Sequence, residues 1–243
     1  MGHVTVVGGC RAKAPSTGIL ASSLAVGTTV KLMEGGKAVE YLVVNQGIPS
    51  NSNLYDASCD GTWLLRKDIH SNRQWHTSNV NKYETSAINT WMNGEFFNTL
   101  GNAEQAAIKQ IKIPYRYNGG AGGTDQRGAN GLLCKIFLLS GYEVGWTTNY
   151  NQYFPQDGAR LSYFEAGTGT TANNKRIANL NGTAATWWLR SPNTGDAILV
   201  WGVYSDGTIA GGDASNSYGI RPALVLPSNA LFDKTTMLLK GVA

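Results

Sequence analysis

Trp187-Trp188-Leu189-Arg190-Ser191-Pro192 and, downstream, Gly219-Ile220-Arg221-Pro222-Ala223-Leu224 decide how this chain is read. Each is an apolar run with one arginine inside it and a proline after it. Aromatic and branched side chains favour a strand. Proline cannot donate to a sheet ladder, so each proline marks a strand edge, end or bulge. A guanidinium among apolar neighbours must be hydrogen-bonded or paired, because an isolated buried charge is very costly. Arg190 and Arg221, with Trp187 and Trp188 beside them, are therefore expected to be structural: they tie loop carbonyls and carboxylates to the sheet.

Between the two runs, Asn193 to Tyr218 is rich in Gly, Asp, Ser, Asn and Thr, with isolated Trp, Tyr and Ile. Stiff strands that hold a permissive, aromatic-dotted segment make a recognition surface on a scaffold. Strands are expected at Ala185–Arg190, Ala197–Tyr204, Thr208–Gly211 and Gly219–Leu226, with Ser205-Asp206-Gly207 as a hairpin turn.

Further upstream, Thr28–Met33 and Ala38–Asn45 read as a hairpin turned by Gly35-Gly36, and Thr62–Arg66 as another strand. Tyr83–Leu100 reads as the best helix, capped by Thr85 or Ser86, with Ile88, Trp91, Met92 and Phe96 on one face. Asn102 with Gln105 opens a second helix that turns Ala107, Ile108 and Ile111 inward. Asn118–Gly131 is too glycine-rich for a regular element and reads as a flexible loop. Lys135–Leu139 is a central-strand candidate, followed by the capping-box spacing of Ser140 and Glu143. Thr148 to Thr183 reads as a long polar loop pinned by Tyr150, Tyr153, Phe154, Tyr163 and Phe164. Residues 1–27, with a short strand at Val4–Val7, read as an attachment segment or linker, and residues 28–243 as the domain proper.

Composition narrows the function classes. The chain has 243 residues, a net charge of +4 and only 15% charged residues, with 30 Gly. The basic residues are scattered, and a nucleic-acid binder needs a concentrated stripe. No apolar run approaches the roughly 18 residues of a membrane span. The start lacks the features of a signal peptide. Cys10, Cys59 and Cys134 form no CxxC, and buried free thiols are favoured over a Cys59–Cys134 bridge.

Catalytic signatures are weak. His70 and His76 lie in a polar loop near Asp68, without a Gly-x-Ser-x-Gly elbow or a His-Glu-x-x-His. Gly119–Gly123 lacks the Gly-Lys-Ser/Thr ending of a phosphate loop. Asp196, Asp206 and Asp213 are near one another in sequence, but calcium needs about six to eight oxygens from a fixed cage and Asp206 is taken by its turn, so solvated or ligand-facing carboxylates are favoured over a calcium site. No metal and no cofactor are expected.

The pairing of Trp187–Pro192 with Gly219–Leu224 resembles a family of uncharacterised domains of gut bacteria and their phages that end in "WWLRSP … G … G-[IVF]-RPAL". The match extends to Thr85–Asn93, which resembles that family's "S-x-I-R-x-W-L-N" helix with Asn89 where Arg is usual, and to Glu95-Phe96-Phe97. It also takes in Ile136–Ser140 with Glu143, so the resemblance runs from about Val26 to Leu226. Such domains are similar to the C-type-lectin-like fold, in the branch of formylglycine-generating enzymes and of the variable proteins that retroelements diversify. The resemblance implies an α+β fold with short antiparallel sheets, two helices and long loops. The late cysteine pair of formylglycine-generating enzymes is missing, and so are the Glu-Pro-Asn and Trp-Asn-Asp motifs of calcium-dependent lectins.

The function the resemblance implies is non-enzymatic binding of a protein or glycan on a bacterial cell surface. The protein would be phage-encoded, act on a virion or outside the cell, and join a tail or virion partner through residues 1–27. Trp201, Tyr204 and Tyr218 are the expected rigid contacts, and Asn193, Asp196, Asp213 and Asn216 the polar ones. The expected diversified positions are Asp196, Ile198, Leu199, Tyr204, Thr208, Ala210, Asp213, Ser215 and Asn216. An enzyme on the same fold and a structural virion or surface protein are the alternatives.

Overall fold

The computed structural model describes residues 18–50 and 52–243. The expected strand at Val4–Val7, and most of the expected attachment segment, lie outside them. From Gly18 the chain is already part of the domain: Gly18–Leu20 pairs with Ala230–Asp233, which also pairs with Leu239–Val242. Gly18–Leu20, within the expected attachment segment, thus supplies a strand to this sheet.

The fold is α+β. Two five-stranded sheets carry the core. The first is antiparallel and runs Ile136–Phe137, Ala223–Leu226, Thr62–Arg66, Lys37–Gln46, Thr29–Glu34. Its Gly35-Gly36 hairpin is as expected, with both glycines at positive φ. Along Thr29–Glu34 burial alternates, so Val30 and Leu32 enter the core. Thr62–Arg66 lies between two neighbours and is buried over Thr62–Leu65.

The second sheet runs Ile209–Asp213, Leu199–Val203, Trp187–Pro192, Ser217–Gly219, Asn72–Gln74. Its single parallel contact joins Trp187 to Gly219. Trp187–Pro192 is buried along its whole length. The register against Leu199–Val203 shifts between Trp188 and Pro192. That irregularity accommodates Pro192 within the pairing, since a bulge leaves its missing N–H unneeded.

The helical segment is broken into turns. A 3₁₀ turn at Tyr83–Thr85 leads into Ala87–Trp91, where the Ser86 hydroxyl accepts from Asn89 N at 3.1 Å. A π-helical turn follows at Met92–Phe96, then Phe97–Thr99. Asn93, in the π turn, holds the edge strand Ile136–Phe137. Its Nδ2 donates to Ile136 O at 2.8 Å, and its Oδ1 accepts from Lys135 N and Ile136 N. The second helix is Asn102–Ala107, capped at Gly101 rather than at Asn102.

Two expectations about loops fail. The Asn118–Gly131 stretch contains the strand Thr124–Gln126, paired with Tyr115–Tyr117. Four of its glycines, Gly119, Gly120, Gly123 and Gly131, are packed against backbone: a Cβ at Gly120 would overlap the carbonyl oxygens of Asn193 and Asp196. Asn81 fixes that packing, accepting from Gly120 N at 2.8 Å and donating to Asp196 O and Leu199 O. The Thr148–Thr183 stretch contains the helix Thr170–Arg176. Phe154 and Phe164 are buried anchors as expected, while the rings of Tyr150 and Tyr153 are exposed.

Candidate functional site

The two arginines behave differently. Arg190 is buried at the centre of a closed polar cluster. Its Nη1 and Nη2 form a fork with Glu143, each contact 2.6 Å. Nε donates to Pro114 O, Nη1 to Leu138 O and Nη2 to Asp157 O. All five guanidinium protons are thus used. Glu143 is equally saturated, accepting from Ser140 N at 3.0 Å and the Tyr55 hydroxyl at 2.9 Å as well. Ser140 Oγ accepts from Glu143 N, which completes the capping box that the sequence spacing predicts. Burial works against the Arg190 charge, but the Glu143 carboxylate outweighs it and holds the guanidinium pKa above its ordinary value.

Asp157 abuts this cluster. It is fully buried, and its Oδ2 accepts from Ser191 Oγ at 2.7 Å. Its Oδ1 has no partner among the described residues. Burial pushes the carboxyl up to about 7, against the pull of Arg190 and Ser191.

Arg221 is buried but poorly served. Nε donates to Arg66 O at 2.9 Å, the guanidinium carbon lies 5.1 Å from the Trp187 ring centre, and Nη1 has no partner among the described residues. Burial lowers its pKa to about 10. A buried charge without a counter-ion adds little to stability. Arg221→Met is therefore expected to cost less than about 1.5 kcal/mol in a denaturant titration. A loss as large as that expected for Arg190 would mean that Arg221 has a carboxylate partner.

The residues expected to face a ligand do not share one surface. Asn193 (9% exposed), Trp201 (8%) and Ala210 (0%) are buried. Asn193 Oδ1 accepts from Gly195 N. Trp201 donates Nε1 to Tyr153 O at 3.2 Å and lies 4.8 Å from the Phe154 ring, because the Thr147–Pro155 segment folds over the strand face that sequence alternation leaves open. Ala210 points toward Gly202, on the covered side of the sheet. Tyr218 is half-buried against Trp188, 4.4 Å away.

The remaining positions split between the two ends of the hairpin formed by Leu199–Val203 and Ile209–Asp213. Tyr204 (45% exposed) and Thr208 stand at the turn, where Asp206 Oδ1 accepts from Thr208 N and Oγ1. Five-residue strands separate the ends by roughly 13–17 Å. At the other end Leu199 pairs with Asp213, and Ala214 N donates to Ile198 O. Asp196, Ile198, Leu199, Asp213, Ser215 and Asn216 gather there. The Asp196 carboxylate is used locally, accepting from Ile198 N and Leu199 N. Ile198 and Asn216 are exposed, and Leu199, Asp213 and Ser215 half-buried.

Two further elements reach the same end. Tyr153 (42% exposed) lays its ring on Gly195, where an added Cβ would come within 2.7 Å. The edge strand Asn72–Gln74 brings Gln74 Nε2 to Ser215 O at 2.8 Å. Beside it opens a cleft of about 480 Å³ lined by Arg73, His76, Thr85, Thr90, Trp91 and Glu95, the last on the π turn. The Arg73 guanidinium sits 4.0 Å from the Trp91 ring centre. Burial lowers the pKa of His76, so its ring is neutral near pH 7. Sequence reasoning makes Tyr153 a loop pin rather than a surface contact, and it misses Arg73. The signal available for Arg73 was an arginine in a polar loop beside the helix bearing Trp91.

No group of three or more His, Cys, Asp or Glu side chains converges on a metal-sized space among the described residues. Cys59 and Cys134 are buried free thiols, as the sequence favours. No helix among the described residues is long and apolar enough to cross a membrane.

An α+β domain with a saturated, buried arginine–glutamate lock and a loop-built end is the class these observations define. The model of the family described as a domain of unknown function (DUF6273) matches residues 60–228, and the chain belongs to that family. No curated protein and no solved structure matches it.

Proposed function

We propose that this protein is a non-enzymatic ligand-binding domain, phage-encoded and of C-type-lectin-like build, that engages a protein or glycan on a bacterial cell surface. One observation carries the reading. Exposed Tyr153, Ile198, Asn216 and Arg73, with half-buried Ser215, stand at this end, where buried Asn81 ties the Asp196 and Leu199 carbonyls and Asn79 Oδ1 accepts from Ser215 N. Rigid aromatic contacts with adaptable polar neighbours suit a paratope-like surface. If the family is diversified, the positions free to vary reduce to the exposed and half-exposed ones at this end, together with Tyr204 and Thr208 at the turn. Ala210 drops out of the varying positions because it is packed, and Asn193 and Trp201 drop out as ligand contacts for the same reason.

The test is a combined Arg73→Ala, Tyr153→Ala, Ile198→Ala and Asn216→Ala variant, measured for binding to a panel of intact bacterial cells. Binding is expected to fall more than about tenfold, which corresponds to roughly 1.4 kcal/mol. The melting temperature should stay close to that of the parent. Unchanged cell binding with an unchanged melting temperature would remove the assignment.

A further inference from the structure

A second cleft lies apart from the loop-built end. It has a volume of about 600 Å³, within the range of small-ligand sites. The Gly158-Ala159 floor rests on the buried lock. Ala159 N donates to the Tyr55 hydroxyl at 2.9 Å, and that hydroxyl donates to Glu143. A Cβ at Gly158 would overlap Ser140 Oγ. The floor is therefore pre-set rather than shaped by a ligand.

The walls have an unbalanced charge. Arg127 and Arg160 line the cleft, and no carboxylate does. Both arginines are exposed. Arg127 makes no side-chain hydrogen bond or ion pair among the described residues, and Arg160 commits only Nη1, to Phe164 O. The neighbouring carboxylates are occupied or turned away: Glu165, whose charge Arg160 helps to hold, takes Lys175 on Oε1 at 2.7 Å. Asp125 takes Arg116 on Oδ1 and Gln156 N on Oδ2, while Asp157 is buried behind the floor. The cleft beside Arg73 differs, since Glu95 shares it. The rest of the wall is neutral and suited to hydroxyl groups: Ser50, Asn53 and Gln156, with the half-buried ring of Tyr142 as a flat side.

We propose that this cleft binds an acidic sugar, a carboxylate carried on a polyol ring. The planar fork of a guanidinium matches a carboxylate in two-point contact. The amides and the serine pair with ring hydroxyls, and the tyrosine face covers the ring's C–H side. The inference goes beyond the cell-binding surface and does not rest on it.

Titration of the full chain with D-glucuronate, followed by calorimetry or chemical-shift perturbation, tests it. Saturable binding is expected, at least about tenfold tighter than for glucose or inorganic phosphate. Arg127→Ala should weaken it by a similar factor without lowering the melting temperature. Arg160→Ala should do the same, and Arg127 remains the cleaner probe because it holds no loop. Tyr153→Ala and Ile198→Ala should leave glucuronate binding unchanged, which separates this site from the cell-binding one. Equal binding of glucose, absence of saturation by about 10 mM, or an Arg127→Ala variant that binds as the parent does would overturn the proposal. Tighter binding of glucose 6-phosphate than of glucuronate would overturn the carboxylate assignment.

Discussion

Arg190→Met is expected to destabilise the fold by about 3–5 kcal/mol, a large share of the roughly 5–15 kcal/mol that holds a domain together. The cost comes from what the substitution leaves behind. Glu143 loses both 2.6 Å contacts and stays fully buried, keeping only Ser140 N and the Tyr55 hydroxyl. The carbonyls of Pro114, Leu138 and Asp157 lose their donor together. Those carbonyls lie on three separate stretches of chain, so one side chain closes loops that have little regular structure of their own. At about 2–4 °C per kcal/mol for a chain of this size, the melting temperature should fall by roughly 10 °C. A double-mutant cycle sharpens the expectation. Arg190→Met combined with Glu143→Leu should cost clearly less than the sum of the single changes, because the second removes the stranded charge. A single-variant loss under about 1 kcal/mol would mean that the cluster is not what fastens the loops.

The outline of the fold was legible because its strongest signals are local. The Gly35-Gly36 hairpin, the Asp206-Gly207 turn and the Ser140–Glu143 capping pair each need only neighbours in sequence, and all three form. Arg190 was legible as a loop fastener for a related reason: burial is written in its apolar flanks, and burial dictates that it be satisfied. Its partner was not legible, because Glu143 is brought to it by tertiary structure. The same limit explains the failures at the site. Strand alternation puts Trp201 on an open face, but Phe154 and the Tyr153 carbonyl come from a distant segment to cover it. Asn118–Gly131 reads as flexible because glycines lack local preferences. Its order comes from Asn81, and glycine is needed there because backbone carbonyls crowd the Cα. The π turn left no sequence signal, since it preserves the inward facing of Met92 and Phe96.

Asp157 leads to the second large effect, a dependence of stability on pH that runs opposite to ordinary acid denaturation. The buried cluster holds one guanidinium, Arg190, and two carboxyls, Glu143 and Asp157; Tyr55, whose pKa burial also raises, adds no positive charge, and Asp125 pushes in the same direction from outside. Glu143 takes the fork of Arg190, so Asp157 is left with a serine hydroxyl on one oxygen and nothing on the other. Its folded pKa of about 7 therefore stands above the value of 3.8 it has when unfolded. Between those two values the folded state holds a proton that the unfolded chain has released, so stability falls as pH rises and levels off above about 7. From pH 5 to pH 8 the loss due to Asp157 is about two pKa units' worth, roughly 3 kcal/mol. His70 and His76, whose pKa burial lowers, gain stability with rising pH in the same window and cancel in the comparison with an Asp157 variant. Asp157→Asn keeps the shape and stays neutral throughout. It should match the parent near pH 5 to within about 1 kcal/mol and exceed it by roughly 3 kcal/mol at pH 8 in paired denaturant titrations. The surface carboxylates with lowered pKa, Asp56, Glu165, Asp206 and Asp233, act below their ordinary values of 3.8 for Asp and 4.5 for Glu and in the other direction, so they do not mimic this window. A parent and variant that keep a constant difference from pH 5 to pH 8 would mean that Asp157 is ionised in the folded protein throughout, with a cation or water on Oδ1.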